Sequence, residues 1–227
     1  MPKLAALGQA GRWIVDSQGR VVIEHGFNLV DKVPPYEPSV GGFGRSDARF
    51  LADHGFNAVR LGVLPEAVEP QPGHFDDAYL RNIEGTVALL QHYGIRSLLD
   101  FHQDLYNEKF QGEGLPSWMI DDDGLPVAPK TGFPGNYFVM PALPAAFANF
   151  WANAKGPGGI GLLRRYVALV RHVAVFFHGV PGIFGYDVFN EPFPGSSYCA
   201  CCPPLGCPGI DSRTLRPAMA ALIRAVH

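Results

Sequence analysis

The sequence predicts an α/β fold built on a parallel sheet, and three observations predict it. Short apolar runs alternate with longer stretches whose apolar residues recur at helical spacing, and this happens four times along the chain. Polar residues recur where the apolar runs end: Asn28, Arg60, His102 with Asp104, and Asn190 with Glu191. The last run, 182–189, stops abruptly on Asn190-Glu191-Pro192. A proline cannot donate to a strand ladder, so Pro192 suits a strand terminus. In parallel sheets and barrels the strand C-termini face the binding crevice.

The elements follow in order. Trp13-Ile14-Val15, the turn Asp16-Ser17-Gln18-Gly19, and Val21-Val22-Ile23 read as a β-hairpin. Residues 1–24 are thus an N-terminal segment and hairpin leading into a main domain over 25–227. The first core strand is 25–30, followed by a proline-rich loop with Lys32. A helix is predicted from Ser46, as its cap, to Gly55 as its stop. The second strand is 56–63. Asp76 to Tyr93 reads as a helix with Leu80, Ile83, Val87, Leu90 and Tyr93 on one face and Gly94 ending it. The third strand, 95–101, leads to His102-Gln103-Asp104.

Residues 105–142 form a long irregular stretch, and structureless loops of that length in a compact domain are usually functional. Helices are expected at 143–153 and 160–178, then the fourth strand, and a last helix over 212–227. Two architectures fit this order: a doubly wound open sheet, or the first half of an eight-fold β/α barrel. No G-x-G-x-x-G follows the first strand, which argues against a dinucleotide-binding sheet.

Composition narrows the function classes. A hydrophobic content of 47% supports a real core, while a formal net charge of −3 gives no support for a nucleic-acid surface. No apolar run reaches membrane-spanning length. The 27 glycines and 21 prolines sit between the apolar runs, which implies shaped loops rather than disorder. Residues 1–10 lack a clear signal-peptide pattern. All four cysteines lie between Cys199 and Cys207; their spacing lacks the paired C-x-x-C of common zinc sites, and a local disulfide fits better, with connectivity open.

A lone Asn-Glu-Pro equally describes a solvated glutamate at a loop start, and Arg60 or His102 alone describes an ion-pair partner or a core histidine. Four successive strands delivering polar groups to one face is harder to explain as packing, because unpaired buried polar groups are costly. At a pocket mouth, a partly desolvated Glu191 would have its pKa raised enough to serve as an acid near neutral pH.

These residues resemble retaining glycoside hydrolase family 5, and within it the endoglycoceramidase-like branch. The resemblance is carried by Asp100 to Tyr106 (DFHQDLY), Gly114 to Trp118 (GLPSW), Pro141 to Trp151 (PALPAAFANFW) and Phe189 to Ser197 (FNEPFPGSS). It implies a TIM-barrel (β/α)8 fold with about four β/α units present. It implies Glu191 as general acid/base, with Asn190, His102 and Asp104 binding the sugar beside the scissile bond. Arg60 would support the second carboxylate, Lys32 would reach a sugar hydroxyl, and Trp151 would offer a stacking face, with Trp118 as a rival.

Retaining hydrolysis needs two carboxylates about 5 Å apart. The family's nucleophile ends the seventh strand, and Glu66, Glu69, Glu108 and Glu113 lie in loops that do not match its motif. The resemblance therefore implies the first half of an enzyme, truncated, inactive alone, and in need of the missing barrel half or a self-partner. The substrate implied is an oligosaccharide joined to a lipid such as ceramide, with peripheral membrane-lipid contact and no metal or organic cofactor. A trough for the lipid could be built from 105–142 and 192–208. The alternatives are a β-glucosidase or glucanase of the same family, a non-catalytic carbohydrate-binding fragment, and a redox or metal protein built on the cysteines. Clustered cysteines and a glycolipid substrate favour an extracellular or cell-surface location.

Overall fold

The computed structural model describes residue 4, residues 6–200 and residues 208–227. They fall into two compact units. The first takes the chain up to Val63, with Ala78–Asp100 and Gly179–Asp187. The second takes Leu64–Asp77, Phe101–His178 and the described residues from Val188 onward.

The first unit carries the sheets. Strands β1 (Leu7–Ala10) and β2 (Trp13–Asp16) form an antiparallel hairpin. The expected hairpin paired 13–15 with 21–23, but Val21 makes only an isolated bridge to Val15. The tighter pairing arises because Gly11, at φ 59°, closes a two-residue turn ahead of Trp13. The second expected turn is nonetheless present. Asp16 caps it, its carboxylate accepting from the backbone N–H groups of Gln18 (2.9 Å) and Arg20 (3.0 Å).

Four strands form the main sheet in the order β3 (Gly26–Leu29), β4 (Ala58–Val63), β5 (Arg96–Phe101) and β6 (Ile183–Asp187). The pairs β3–β4 and β5–β6 are parallel, and their registers set Asn28 against Arg60 and Asp100 against Asp187. Helix α1 (Arg45–Asp53) starts before Ser46. Its cap is Gly44, whose N–H donates to the Asp47 carboxylate at 2.8 Å, so the acidic residue in the first turn satisfies the helix start that Ser46 was expected to satisfy. The second unit begins with α2 (Pro65–Val68). Helix α3 (Asp77–His92) buries Leu80, Ile83, Val87 and Leu90 completely, each worth about 1.5–3 kcal/mol. Gly94, at φ 80°, lets the chain turn straight into β5.

In the second unit the stretch 105–142 is irregular but built. Asn107 donates from Nδ2 to the Leu115 carbonyl (2.6 Å), and Asn136 donates from Nδ2 to the Phe110 carbonyl (2.8 Å). These buried amides replace the ladder hydrogen bonds that the loop lacks. Helices α4 (Asn136–Val139), α5 (Ala142–Trp151) and α6 (Leu162–Phe176) follow. The unit's core is aromatic: Tyr106 meets Phe147 at 5.1 Å, Phe150 meets Tyr166 at 5.5 Å, and Tyr166 meets Phe189 at 5.3 Å. Burial pushes the Tyr106 hydroxyl pKa up, and that hydroxyl donates to the Met119 carbonyl.

The expected single C-terminal helix is helical throughout but uneven. Helix α7 (Pro208–Ile210) passes through a π-turn over Asp211–Leu215 into α8 (Arg216–Val226). Cys201, Cys202, Cys207 and the Cys199 side chain lie outside the described residues, and so does the disulfide expectation. Among the described residues, no helix is long and apolar enough to cross a membrane.

Candidate active site

Of the sequence-predicted residues, Arg60 and Lys32 belong to the first unit, and Glu191, Asn190, His102, Asp104 and Trp151 belong to the second. In the first unit Arg60 sits on β4 and forks onto two carboxylates. It meets Asp100 at 2.8 Å through both Nη1 and Nη2, and Asp187 at 2.6 Å through Nη2 and 3.2 Å through Nε. Asp100 is fully buried, so the guanidinium is what makes its charge tolerable there. Asp187, brought to Arg60 by the strand register, was not singled out from the sequence. Lys32 is exposed in the loop after β3.

In the second unit the chain that leaves β5 and the chain that follows β6 are tied together around Gln103. The Gln103 amide is buried and donates to the carbonyls of Asn190 (2.9 Å) and Glu191 (3.2 Å), while its oxygen accepts from the Tyr106 N–H (2.9 Å). Asn190 returns the contact, donating from Nδ2 to the Gln103 carbonyl (2.8 Å) and reaching Asp104 at 3.5 Å. The Asn190 backbone N–H also donates to the Phe101 carbonyl (3.1 Å). Glu191 then takes φ 43°, a left-handed conformation that a glutamate holds only when its surroundings impose it. Its side chain is exposed while Asn190 is buried, so the partial desolvation expected of Glu191 is not present in this unit.

His102 is buried, and its Nε2 lies 3.4 Å from Asp104 and 3.8 Å from Glu113. Among the described residues, His102, Asp104 and Glu113 offer three ligand atoms within 4.8 Å of one another, a donor set that could hold a cation or a group of sugar hydroxyls. The Tyr137 hydroxyl accepts from the Leu105 N–H at 2.9 Å. Its pKa is pushed up to about 12 by burial first, with the charges of Asp104 and Glu191 adding to the shift.

The remaining candidates have structural partners. Trp151 is almost buried, and its indole N–H donates to the Phe193 carbonyl at 2.7 Å, holding the loop that follows Glu191. The rival Trp118 donates to the Glu69 carbonyl at 2.9 Å. Glu66 binds the Gly114 N–H at 2.8 Å. Glu69 binds the Gly73 N–H at 2.6 Å, and burial raises the pKa of its carboxyl. Glu108 is exposed. A cavity of about 350 Å³ is lined by Ala148, Trp151, Leu163, Pro194 and Ile210, among others; of the stretches 105–142 and 192–208 expected to build a lipid trough, only Pro194 and Ser197 line it.

Parallel strands taken in sequence order, with helices between them, are the grammar of a β/α barrel, whose sites gather beyond the strand C-termini. A family model described as cellulase, glycosyl hydrolase family 5, matches residues 16–226. The chain belongs to that family. It is 39% identical to endoglycoceramidase I of Rhodococcus hoagii (strain 103S), over 99% of this chain and 44% of the relative. It is 35% identical to an endoglycoceramidase of Cyanea nozakii, over 94% and 46% respectively. The solved endo-glycoceramidase II from Rhodococcus sp. in complex with ganglioside GM3 superposes with a TM-score of 0.81 at 31% identity, over 96% of this chain and 49% of that one. The chain thus spans about half the length of the relatives it matches. The TIM-barrel type is met, with four barrel strands in sequence order after an N-terminal hairpin.

Proposed function

We propose that this chain carries the acid/base and sugar-binding part of a retaining endo-β-glycosidase that cuts between an oligosaccharide and a lipid aglycone such as ceramide. The observation that carries the reading is the Asn190–Glu191 turn, pinned by Gln103 beside Asp104 in a chain 39% identical to an endoglycoceramidase. Glu191 donates its proton to the aglycone oxygen as the glycosidic bond breaks, while a second carboxylate takes the anomeric carbon. Water, deprotonated by Glu191, then releases the sugar. Asn190, His102 and Asp104 bind the sugar, Arg60 supports the second carboxylate, Lys32 reaches a hydroxyl, and Trp151 borders the apolar hollow on the lipid side. The second carboxylate matches no residue of this chain, so the chain alone binds glycolipid without turning it over. A glycolipid substrate and clustered cysteines support a place outside the cell or on its surface.

The test is a fluorescent-ceramide glycolipid, followed for binding and for released ceramide, with Glu191→Gln as control. Binding without release is the expected result. Release that vanishes in Glu191→Gln keeps the acid/base role but overturns the inactivity. Release that survives the substitution overturns the role of Glu191. Folded, monodisperse protein that neither binds nor cleaves overturns the reading as a whole.

A further inference from the structure

Glu113 lies in the long loop after β5 and matches no part of the resemblance, yet the loop is built to place it. After Asp104 the chain turns through residues 105–111 and comes back antiparallel. Asp104 and Glu113 exchange two backbone hydrogen bonds, at 3.0 and 2.9 Å. The residues on either side are glycines because the returning segment lies too close to the outgoing one for anything else. A Cβ at Gly112 would stand 1.8 Å from the Asp104 carbonyl oxygen, and one at Gly114 would stand 2.4 Å from the Gln103 Cβ, at φ 129°. Glu66 fixes the far end: its N–H donates to the Gly114 carbonyl (2.7 Å) and its carboxylate accepts the Gly114 N–H (2.8 Å).

The loop is therefore held through its backbone, and the result is a carboxylate with 12% side-chain exposure set 3.8 Å from His102 Nε2. Asp104 approaches the same nitrogen at 3.4 Å. A hydroxyl oxygen placed beside these three groups can be within bonding range of two of them at once. One imidazole and two carboxylates in this arrangement match adjacent hydroxyls on a sugar ring, each of which accepts one hydrogen bond and donates another.

We propose that Glu113 is a third sugar-binding side chain of this site, and that with Asp104 and His102 it selects rings carrying two free adjacent hydroxyls. The proposal rests on the sugar-site reading above and adds the residue that sets its selectivity. Sites that hydrogen-bond a hydroxyl reject the analogue lacking it, because the polar group is then left buried without its ligand.

The experiment uses the whole chain and methyl β-D-glucopyranoside with its 3-, 4- and 6-monodeoxy analogues, titrated by NMR against wild type, Glu113→Gln and Asp104→Asn, with unfolding midpoints recorded for each. Wild type is expected to bind the parent glycoside, and Glu113→Gln to bind it about tenfold more weakly with an unchanged midpoint. The variant should also lose its preference for the parent over one monodeoxy analogue only, since variant and analogue remove the same contact. Equal affinities and the same deoxy pattern in Glu113→Gln overturn the proposal, as does a uniform loss across all analogues with a lowered midpoint. Binding abolished by EDTA and restored by Ca²⁺ also overturns it, in favour of a cation at the three groups. If Glu113→Gln does not fold, Glu113→Asp takes its place in the same comparison. Folded wild type that binds no glycoside overturns the sugar-site reading, and this proposal with it.

Discussion

The Arg60 cluster lies within the sheet and the His102 cluster lies just beyond the end of β5, and their charged side chains are spaced differently. In the first unit, Arg60 sits within 2.6–2.8 Å of Asp100 and Asp187, a direct ionic clamp across strands. In the second unit, His102 lies 3.4 and 3.8 Å from Asp104 and Glu113, and those two residues are positioned by backbone bonds and glycine packing. Direct pairing at short distance serves stability, because each charge satisfies the other. In the second cluster the support comes from the backbone behind the carboxylates, the kind of support that a preorganised site uses. The comparison teaches that charged groups in βα units are held in two ways, by one another or by the backbone behind them, which composition does not reveal.

The largest effect should come from Arg60→Ala. It leaves the fully buried Asp100 without its counter-charge, and chemical denaturation should show a loss of about 3–5 kcal/mol. A loss below about 1 kcal/mol would erase the distinction between the two clusters.

Next comes pH in the alkaline range. Folding raises the Tyr137 pKa from 10.0 to about 12, so the protonated hydroxyl is the form that folding favours. That stabilisation is whole below pH 10 and is lost as pH rises toward 12, amounting to about 3 kcal/mol. Tyrosinate absorbance combined with denaturation at each pH measures it, and Tyr137→Phe should flatten the dependence.

The smallest stability change, about 2 kcal/mol, is expected for Gln103→Ala, which leaves the buried carbonyl of Asn190 without its donor. Here the sharper readout is affinity. Glycoside binding should fall by more than the stability loss predicts, since Asn190 and Glu191 share that support. Retained affinity would place Gln103 with the structural residues.

Much of the fold was legible in the sequence. The apolar face of α3 and the end of α3 at Gly94 follow from helical period and turn chemistry. The placement of His102, Asp104, Asn190 and Glu191 beyond strand ends was legible for the same reason, an apolar run ending on polar residues being a local signal, whereas Arg60, expected at a strand end, lies within β4. The hairpin partner of β2 and the start of α1 were misjudged by a few residues. There a glycine turn and one aspartate outweighed the expected strand and cap.

What the sequence by itself determined is the set of βα units, their order and the residues at their ends, because periodicity and capping act over a few residues. Only the tertiary structure decided the partners. Arg60 meets Asp187 across 127 residues, and Gln103 meets Asn190 across 87. Glu113 reaches His102 because two glycines let one segment lie against another. Such pairings depend on strand register and loop packing, which are properties of the folded chain and leave no period in its sequence.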